Sequence, residues 1–255
     1  IYTFNIKNII FTADCNNFLT LYNYLKKENI PLTYTYEIRG LWYLSALSKQ
    51  QYITENSGIN DKKRLKIINY QKNLEINAMN NADNLIFISD SLKKYCISEL
   101  KINLDNKKNI ILDNSVNLDN TIKYNVKSSD IFTIGYFGSI VEYEGIELLI
   151  DVLLNLNKKY KVKLLLIGSI SYDIKLNNYV EHISWVSKEQ LEKYYSDLNL
   201  FCIPRKSYDV CEIVPPIKPF NLLYNKIPLL VSDCKVLKDI SNNGENCMLF
   251  KKNDV

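Results

Sequence analysis

The sequence predicts an α/β protein with parallel sheets, and three observations carry that expectation. Short apolar runs such as Val162–Ile167 and Leu200–Ile203 have the length and β-branched content of buried strands. Segments with helical spacing separate them, so strand and helix alternate, the pattern of a parallel sheet. The alternation runs through the first half, lapses over the polar stretch 124–130, and starts again. Two domains, 1–123 and 131–255, with 124–130 as linker, are therefore expected.

In the first half, Asn8–Ala13 reads as a strand, Asn17–Glu28 as a helix with Leu21, Tyr24 and Leu25 on one face, and Thr33–Ile38 as a second strand. Ser45–Lys62 is polar and aperiodic, which predicts a mobile loop. Arg64–Asn81 has the spacing of a long amphipathic helix, Asn84–Ser89 that of a strand, and Ser91 caps a short helix to Leu100; Asn109–Leu112 closes the series. In the second half the strands expected are Phe132–Phe137, Val162–Ile167, His182–Val186, Leu200–Ile203, Ile227–Val231 and Cys247–Phe250. Helices are expected at Glu144–Asn157, weakly after Gly168, and at Leu191–Asp197 behind the capping box Ser187–Gln190.

Composition excludes several classes. The chain has 255 residues, 47% of them hydrophobic, enough for packed cores. A net charge of +4, with basic residues scattered among acids, argues against nucleic acid as the main partner. No run reaches the roughly 18 apolar residues of a membrane span. The N-terminus has no basic stretch leading into a long apolar one, so no signal peptide is expected, and with no initial Met the sequence reads as a segment of a longer protein. Six dispersed cysteines without a C-x-x-C pair read as buried thiols in a reducing compartment. The only histidine, His182, reads as structural.

The most informative stretch is Phe201–Asp233. A strand empties into a loop bearing Arg205, Lys206, Asp209 and Glu212, and two prolines then open a helix. Ligands of parallel α/β sheets lie at such carboxyl-end crevices. Cations, a carboxylate and a helix start suit a phosphorylated polyol. Pro216 fits the first helical position, which leaves amides near Ile217 and Lys218 to face an anion. The Arg205 guanidinium can grip two phosphate oxygens. Lys218 opposes the helix dipole and needs another reason for its place; for both cations, a solvated surface role is the alternative. Lys206 is expected to point outward.

These residues resemble the donor-site signature of retaining glycosyltransferases of family 4. Glu212 matches the first of that family's two glutamates, and Pro228-Leu229-Leu230-Val231-Ser232 matches its P-V-V-x-S strand. At the second glutamate, strict spacing gives Phe220 and alignment back from Pro228 gives Asn221, the preferred match because its side chain can bond a ribose hydroxyl. Tyr36–Trp42, Asn84–Leu92, Asp113–Asn117, Gly135–Ile150 and Gly244–Phe250 resemble further landmarks of the family.

The resemblance implies a GT-B fold of two Rossmann-like domains, the N-terminal one incomplete and the C-terminal one lacking its last helices. It implies transfer of a hexose-type sugar from a nucleotide-diphosphate donor, with retention, to a lipid-linked or saccharide acceptor in bacterial surface polysaccharide synthesis. It also implies a cytoplasmic setting compatible with peripheral contact at the inner face of the membrane. No cofactor and no metal are expected, and no aspartate-x-aspartate pair is present. Glu212 would read the donor sugar and Arg39, with Glu37 on the same side of its strand, would serve the reacting centre or acceptor. Gly138 and Ser139 would offer amides to phosphate, and Arg205, Lys218 and Asn221 would complete the donor site.

The family's usual arginine and lysine after the first strand of the C-terminal domain are replaced by Ser139 and Glu144. That replacement keeps a second reading open, a non-catalytic nucleotide-sugar-binding or scaffold homologue. A sugar-nucleotide epimerase would need histidine and acidic groups that this chain does not supply.

Overall fold

The computed structural model describes residues 6–117, 124–125 and 128–253. By internal contacts the chain forms two compact units, one of residues 1–114 with 212–215 and one of residues 115–211 with 216–255. Part of the linker expected at 124–130, residues 126–127, lies outside the described residues.

The first unit holds a four-stranded parallel sheet in the order β1 (Asn8–Thr12), β2 (Thr33–Ile38), β3 (Asn84–Phe87), β4 (Lys108–Ile111). In β2 the alternation T-Y-T-Y-E-I buries Tyr34, Tyr36 and Ile38 on one face, as period-two patterning requires. Helix α1 (Cys15–Lys27) starts where the Asp14 carboxylate accepts the Asn16 and Asn17 amides at 2.9 and 3.1 Å. Asp61 caps α3 (Lys62–Asn81) in the same way.

The segment expected to be a mobile loop is instead helix α2, Trp42–Ser57. No side chain next to its N-terminus caps it; the buried carboxylate of Glu75, in the middle of α3, accepts the Trp42 amide at 2.9 Å. Gly58, in the left-handed conformation at φ 70°, ends the helix. The cap of α4 (Asp90–Ser98) also differs: Ser89, not Ser91, accepts the Leu92 amide.

The second unit holds six parallel strands in the order β10-β9-β8-β5-β6-β7, from β5 (Phe132–Phe137), β6 (Val162–Ile167), β7 (Val180–Ile183), β8 (Leu200–Ile203), β9 (Leu229–Ser232) and β10 (Met248–Phe250). Order reverses between β5 and β8, which pair at Ile134–Leu200 and Gly135–Phe201. That is the topological switch point, where open α/β sheets leave a crevice beyond the strand ends.

Helix α5 (Ile146–Leu156) buries Ile146, Leu149, Ile150 and Leu153, a stripe of helical period. Glu144 does not open this helix as expected; it sits in a preceding 3-10 turn, Glu142–Glu144, ended by Gly145. The weak helix after Gly168 is irregular chain. The capping box at Ser187 opens α6 (Lys188–Tyr195), as read. The loop after β8 contains a short helix α7 (Asp209–Ile213), and α8 (Lys218–Tyr224) carries its proline in the first turn at Pro219 rather than at Pro216. Helix α9 (Lys235–Ile240) completes the set. No helix of the described residues is long and apolar enough to cross a membrane.

Burial raises the Glu75 carboxyl to about 7, although Gln71 and the Trp42 and Tyr43 amides favour its charged form. One of its oxygens, Oε2, is buried without a hydrogen bond. A folded-state value above the ordinary 4.5 means that the native state binds the proton more tightly, so stability falls as pH rises from 4.5 to 7. Substituting Glu75→Gln should therefore remove a loss on the order of 2–3 kcal/mol between pH 5 and pH 8. Urea unfolding of both proteins at the two pH values checks this; parallel pH dependences would refute it.

Candidate active site

At the switch point of the second unit, the turn after β5 meets the loop after β8. The Lys206 amide donates to Tyr143 O at 3.0 Å, and the Cys211 thiol to the same carbonyl at 3.6 Å. The approach is close enough to demand glycine: a Cβ on Gly145, at φ 73°, would lie 2.1 Å from Pro204 O.

This contact brings Glu144 and Arg205 together. Both are buried, and Arg205 donates from Nε and Nη2 to Glu144 Oε1 at 3.1 and 2.8 Å. Lys218, from the start of α8, places Nζ 3.9 Å from Glu144 Oε2 with its side chain 25% exposed. The ammonium donates to the Tyr136 hydroxyl at 3.0 Å and lies 4.7 Å from that ring's centre, a cation–π contact. Tyr136 in turn donates to Ser139 O at 3.0 Å.

Electrostatics follow from this packing. Burial pushes the Glu144 carboxyl up, but the Arg205 and Lys218 charges outweigh it and hold the group at about 2. Burial would lower the Arg205 value, and Glu144 more than reverses that. Lys218 falls below the ordinary lysine value, lowered by burial, supported by Glu144 and lowered again by Arg205. Two cations and one carboxylate thus share the site, leaving a net positive charge whose more exposed member is Lys218.

Several sequence expectations need correction. Arg205 is not an open phosphate clamp, because its guanidinium is turned into the protein by Glu144. Gly138 does not offer its amide, which donates to Ile167 O at 2.8 Å. Its role is spatial: at φ 132°, a Cβ there would lie 2.5 Å from Lys218 Cε. The amides expected near Ile217 and Lys218 lie at the start of a seven-residue helix, in which Pro219 has no N–H to add to them. Lys206 does not point outward into water but pairs with Glu147. Asn221, one turn along α8, accepts the Asn225 side-chain amide at 2.9 Å. Ser139 is exposed at the end of β5.

Arg39 and Glu212 belong to the first unit. Arg39 is exposed at the carboxyl end of β2. The segment of half-buried Glu212 is fastened to the carboxyl edge of that sheet: Ile213 O accepts from Ser89 Oγ at 2.8 Å, and Pro215 O from Asn114 Nδ2 at 3.2 Å. Gly40 lies against Val214 there. The structure therefore gathers Gly138, Arg205 and Lys218 around Glu144, and brings Arg39 and Glu212 to one sheet edge.

The sequence alone gives no place in the cluster to Glu144 or Tyr136, both of which the structure puts beside Lys218. An acid in the place of the family's lysine is the signal available in the sequence; its pairing with Arg205, 61 positions away, is not. An apolar cavity of about 640 Å³, lined by residues such as Phe132, Leu149, Leu200 and Phe250, lies along the strands. Its lining is unsuited to a diphosphate.

The family model described as "Glycosyl transferases group 1" matches residues 119–255, more than half of the chain. The chain belongs to the group 1 glycosyl transferases. Among solved structures, a sucrose-phosphate synthase from Thermosynechococcus elongatus is similar with a TM-score of 0.69 at 16% identity, over 97% of this chain and 61% of that one. Anabaena HepE, solved with UDP and glucose, gives 0.67 at 12% identity over 96% and 65%. TarM gives 0.65 at 16% over 97% and 45%. These likenesses establish the GT-B arrangement of two parallel Rossmann-like sheets, and the chain spans less than two thirds of each of those proteins. No curated protein sequence matches it.

Removing the guanidinium should leave a buried carboxylate short of its partner. Arg205→Met is expected to destabilise the protein by about 3–5 kcal/mol, whereas Ser139→Ala should stay within about 0.5 kcal/mol. Denaturant unfolding at neutral pH measures both; an Arg205→Met protein as stable as the parent would contradict the buried pair.

Proposed function

We propose that this chain is the donor-handling part of a retaining, family 4-type glycosyltransferase that moves a hexose-type sugar from a nucleotide-diphosphate donor. The observation that carries the reading is the net positive Glu144–Arg205–Lys218 cluster at the switch point of the family-matched unit. Transfer builds negative charge on the departing diphosphate, and a fixed cation aimed at it lowers the barrier. Lys218 supplies that cation, Ser139 lines the same strand end, and Asn221 bonds a ribose hydroxyl after exchanging its Asn225 partner.

Glu212 accepts hydrogen bonds from the donor sugar, and Arg39 serves the acceptor side. Side chains neutralise the charge without a metal or cofactor, and the acceptor hydroxyl attacks on the face the diphosphate leaves, a diphosphate oxygen taking its proton. That Anabaena HepE was solved with UDP and glucose supports a nucleotide-linked sugar as donor class. A lipid-linked or saccharide acceptor in bacterial surface polysaccharide synthesis, met at the inner face of the membrane, completes the proposal.

One observation favours a second reading, a non-catalytic nucleotide-sugar binder or scaffold. The family's cationic pair is absent and Asn221 stands where a glutamate is usual. Incubation of the full-length protein with labelled nucleotide sugars separates the two: transfer or hydrolysis supports the enzyme, and thermal protection without turnover supports the binder. In the enzyme, Glu212→Ala should abolish transfer without lowering the melting temperature, and unchanged turnover would reject the role of Glu212.

A further inference from the structure

The cluster raises a question that phosphate binding alone does not answer: why a carboxylate is buried in a site built to meet an anion. Glu144 divides its two oxygens. Oε1 is taken by both Arg205 donors, and the Tyr136 hydroxyl nearby also favours the charged carboxylate. Oε2 is shielded from water, has no hydrogen bond of good geometry, and has Lys218 Nζ at 3.9 Å. That distance is too long for a hydrogen bond and short enough for strong attraction in a buried setting.

The Lys218 side chain is also confined sterically. Its stem crosses the bare Cα of Gly138, where a Cβ would come within 2.5 Å of Cε and 3.0 Å of Nζ. Its ammonium rests on the Tyr136 ring and hydroxyl, and that hydroxyl is itself fixed by Ser139 O. Glu144 from the 3-10 turn, Tyr136 from β5 and Arg205 from the loop after β8 are the titratable groups facing the ammonium. Arg205 repels it, and burial disfavours its charge. Glu144 is the facing ionised group whose charge favours the charged lysine, beside the neutral Tyr136 ring and hydroxyl.

We infer that Glu144 is a positioning residue for Lys218: its Oε1 anchors Arg205 while its Oε2 holds the lysine ammonium, charged, in the slot over Gly138. The inverted acid in a lysine's place is then a charge swap, in which the cation has moved to α8 and the old position has become its counter-ion. The inference rests on the functional reading above only in taking a diphosphate to be what Lys218 meets.

The test uses the full-length protein with Glu144→Gln, which keeps the shape and removes the charge. The pH dependence of Lys218 acylation by trace acetic anhydride, read by mass spectrometry, reports the lysine directly. The midpoint should fall by about one pH unit or more in E144Q. Glu144→Asp keeps the charge but withdraws it, should give a smaller fall in the same direction, and serves if E144Q does not fold. An unmoved midpoint in the folded variant overturns the inference.

A second arm titrates uridine, guanosine and adenosine diphosphates. E144Q should weaken the preferred one about tenfold in the parent and not at all in a Lys218→Met background. Independent, additive losses would overturn the inference by showing that Glu144 does not act through the lysine. If the parent binds no nucleoside diphosphate while the Lys218 midpoint still falls in E144Q, the functional reading fails and the positioning role stands.

Discussion

A carboxylate enclosed beside a guanidinium persists in a protein interior only because each group satisfies the other, and the Glu144–Arg205 pair sets that condition for the second unit. The pair ties the turn after β5 to the loop after β8 at the place where strand order reverses. Those two segments must approach closely, which is why Gly145 abuts Pro204 O and why a backbone bond joins Lys206 to Tyr143. Breaking the pair would uncover a buried charge and also release the edge of the crevice. Within the same pair, Glu144 supports the charge of Lys218 while Arg205, like burial, opposes it.

The first unit uses a buried carboxylate differently. Among the described residues Glu75 has no ion-pair partner; it accepts the Trp42 amide and the Gln71 side chain through Oε1 and leaves Oε2 unpaired. Desolvation therefore wins, and its value rises to about 7 where that of Glu144 falls to about 2. The contrast is one of partners. Glu75 serves as a remote helix cap and Glu144 as a counter-ion, and only the second leaves a net positive field in which an anionic ligand can be held.

How much was legible from residues alone follows the same division between local and remote causes. The strands at Val162–Ile167 and Leu200–Ile203 are written in contiguous apolar runs, and the capping box at Ser187 in a four-residue pattern, so both were readable. Helix α2 was not. Its buried residues Tyr43, Leu44, Ser48 and Gln50 form no apolar stripe, and its N-terminal amide is capped by a residue 33 positions away. In the site, the sequence singles out Arg205, Lys218 and Gly138, but the roles it suggests for Arg205 and Gly138 differ from what the structure shows. Glu144 turns the guanidinium inward and Gly138 yields space rather than an amide, and both facts arise from pairing between distant segments. Helix α8 misled for a local reason, because the proline that matters is Pro219 and not Pro216.

The central claim is that a lysine held by a buried acid, and not the guanidinium beside it, meets the ligand's diphosphate. The most direct measurement is a crystal structure of the full-length protein with a bound nucleoside diphosphate. The account predicts Lys218 Nζ within hydrogen-bond distance of a phosphate oxygen while Arg205 stays on Glu144. A diphosphate gripped by an Arg205 that has left Glu144, or one bound away from the β5–β8 crevice, would contradict it.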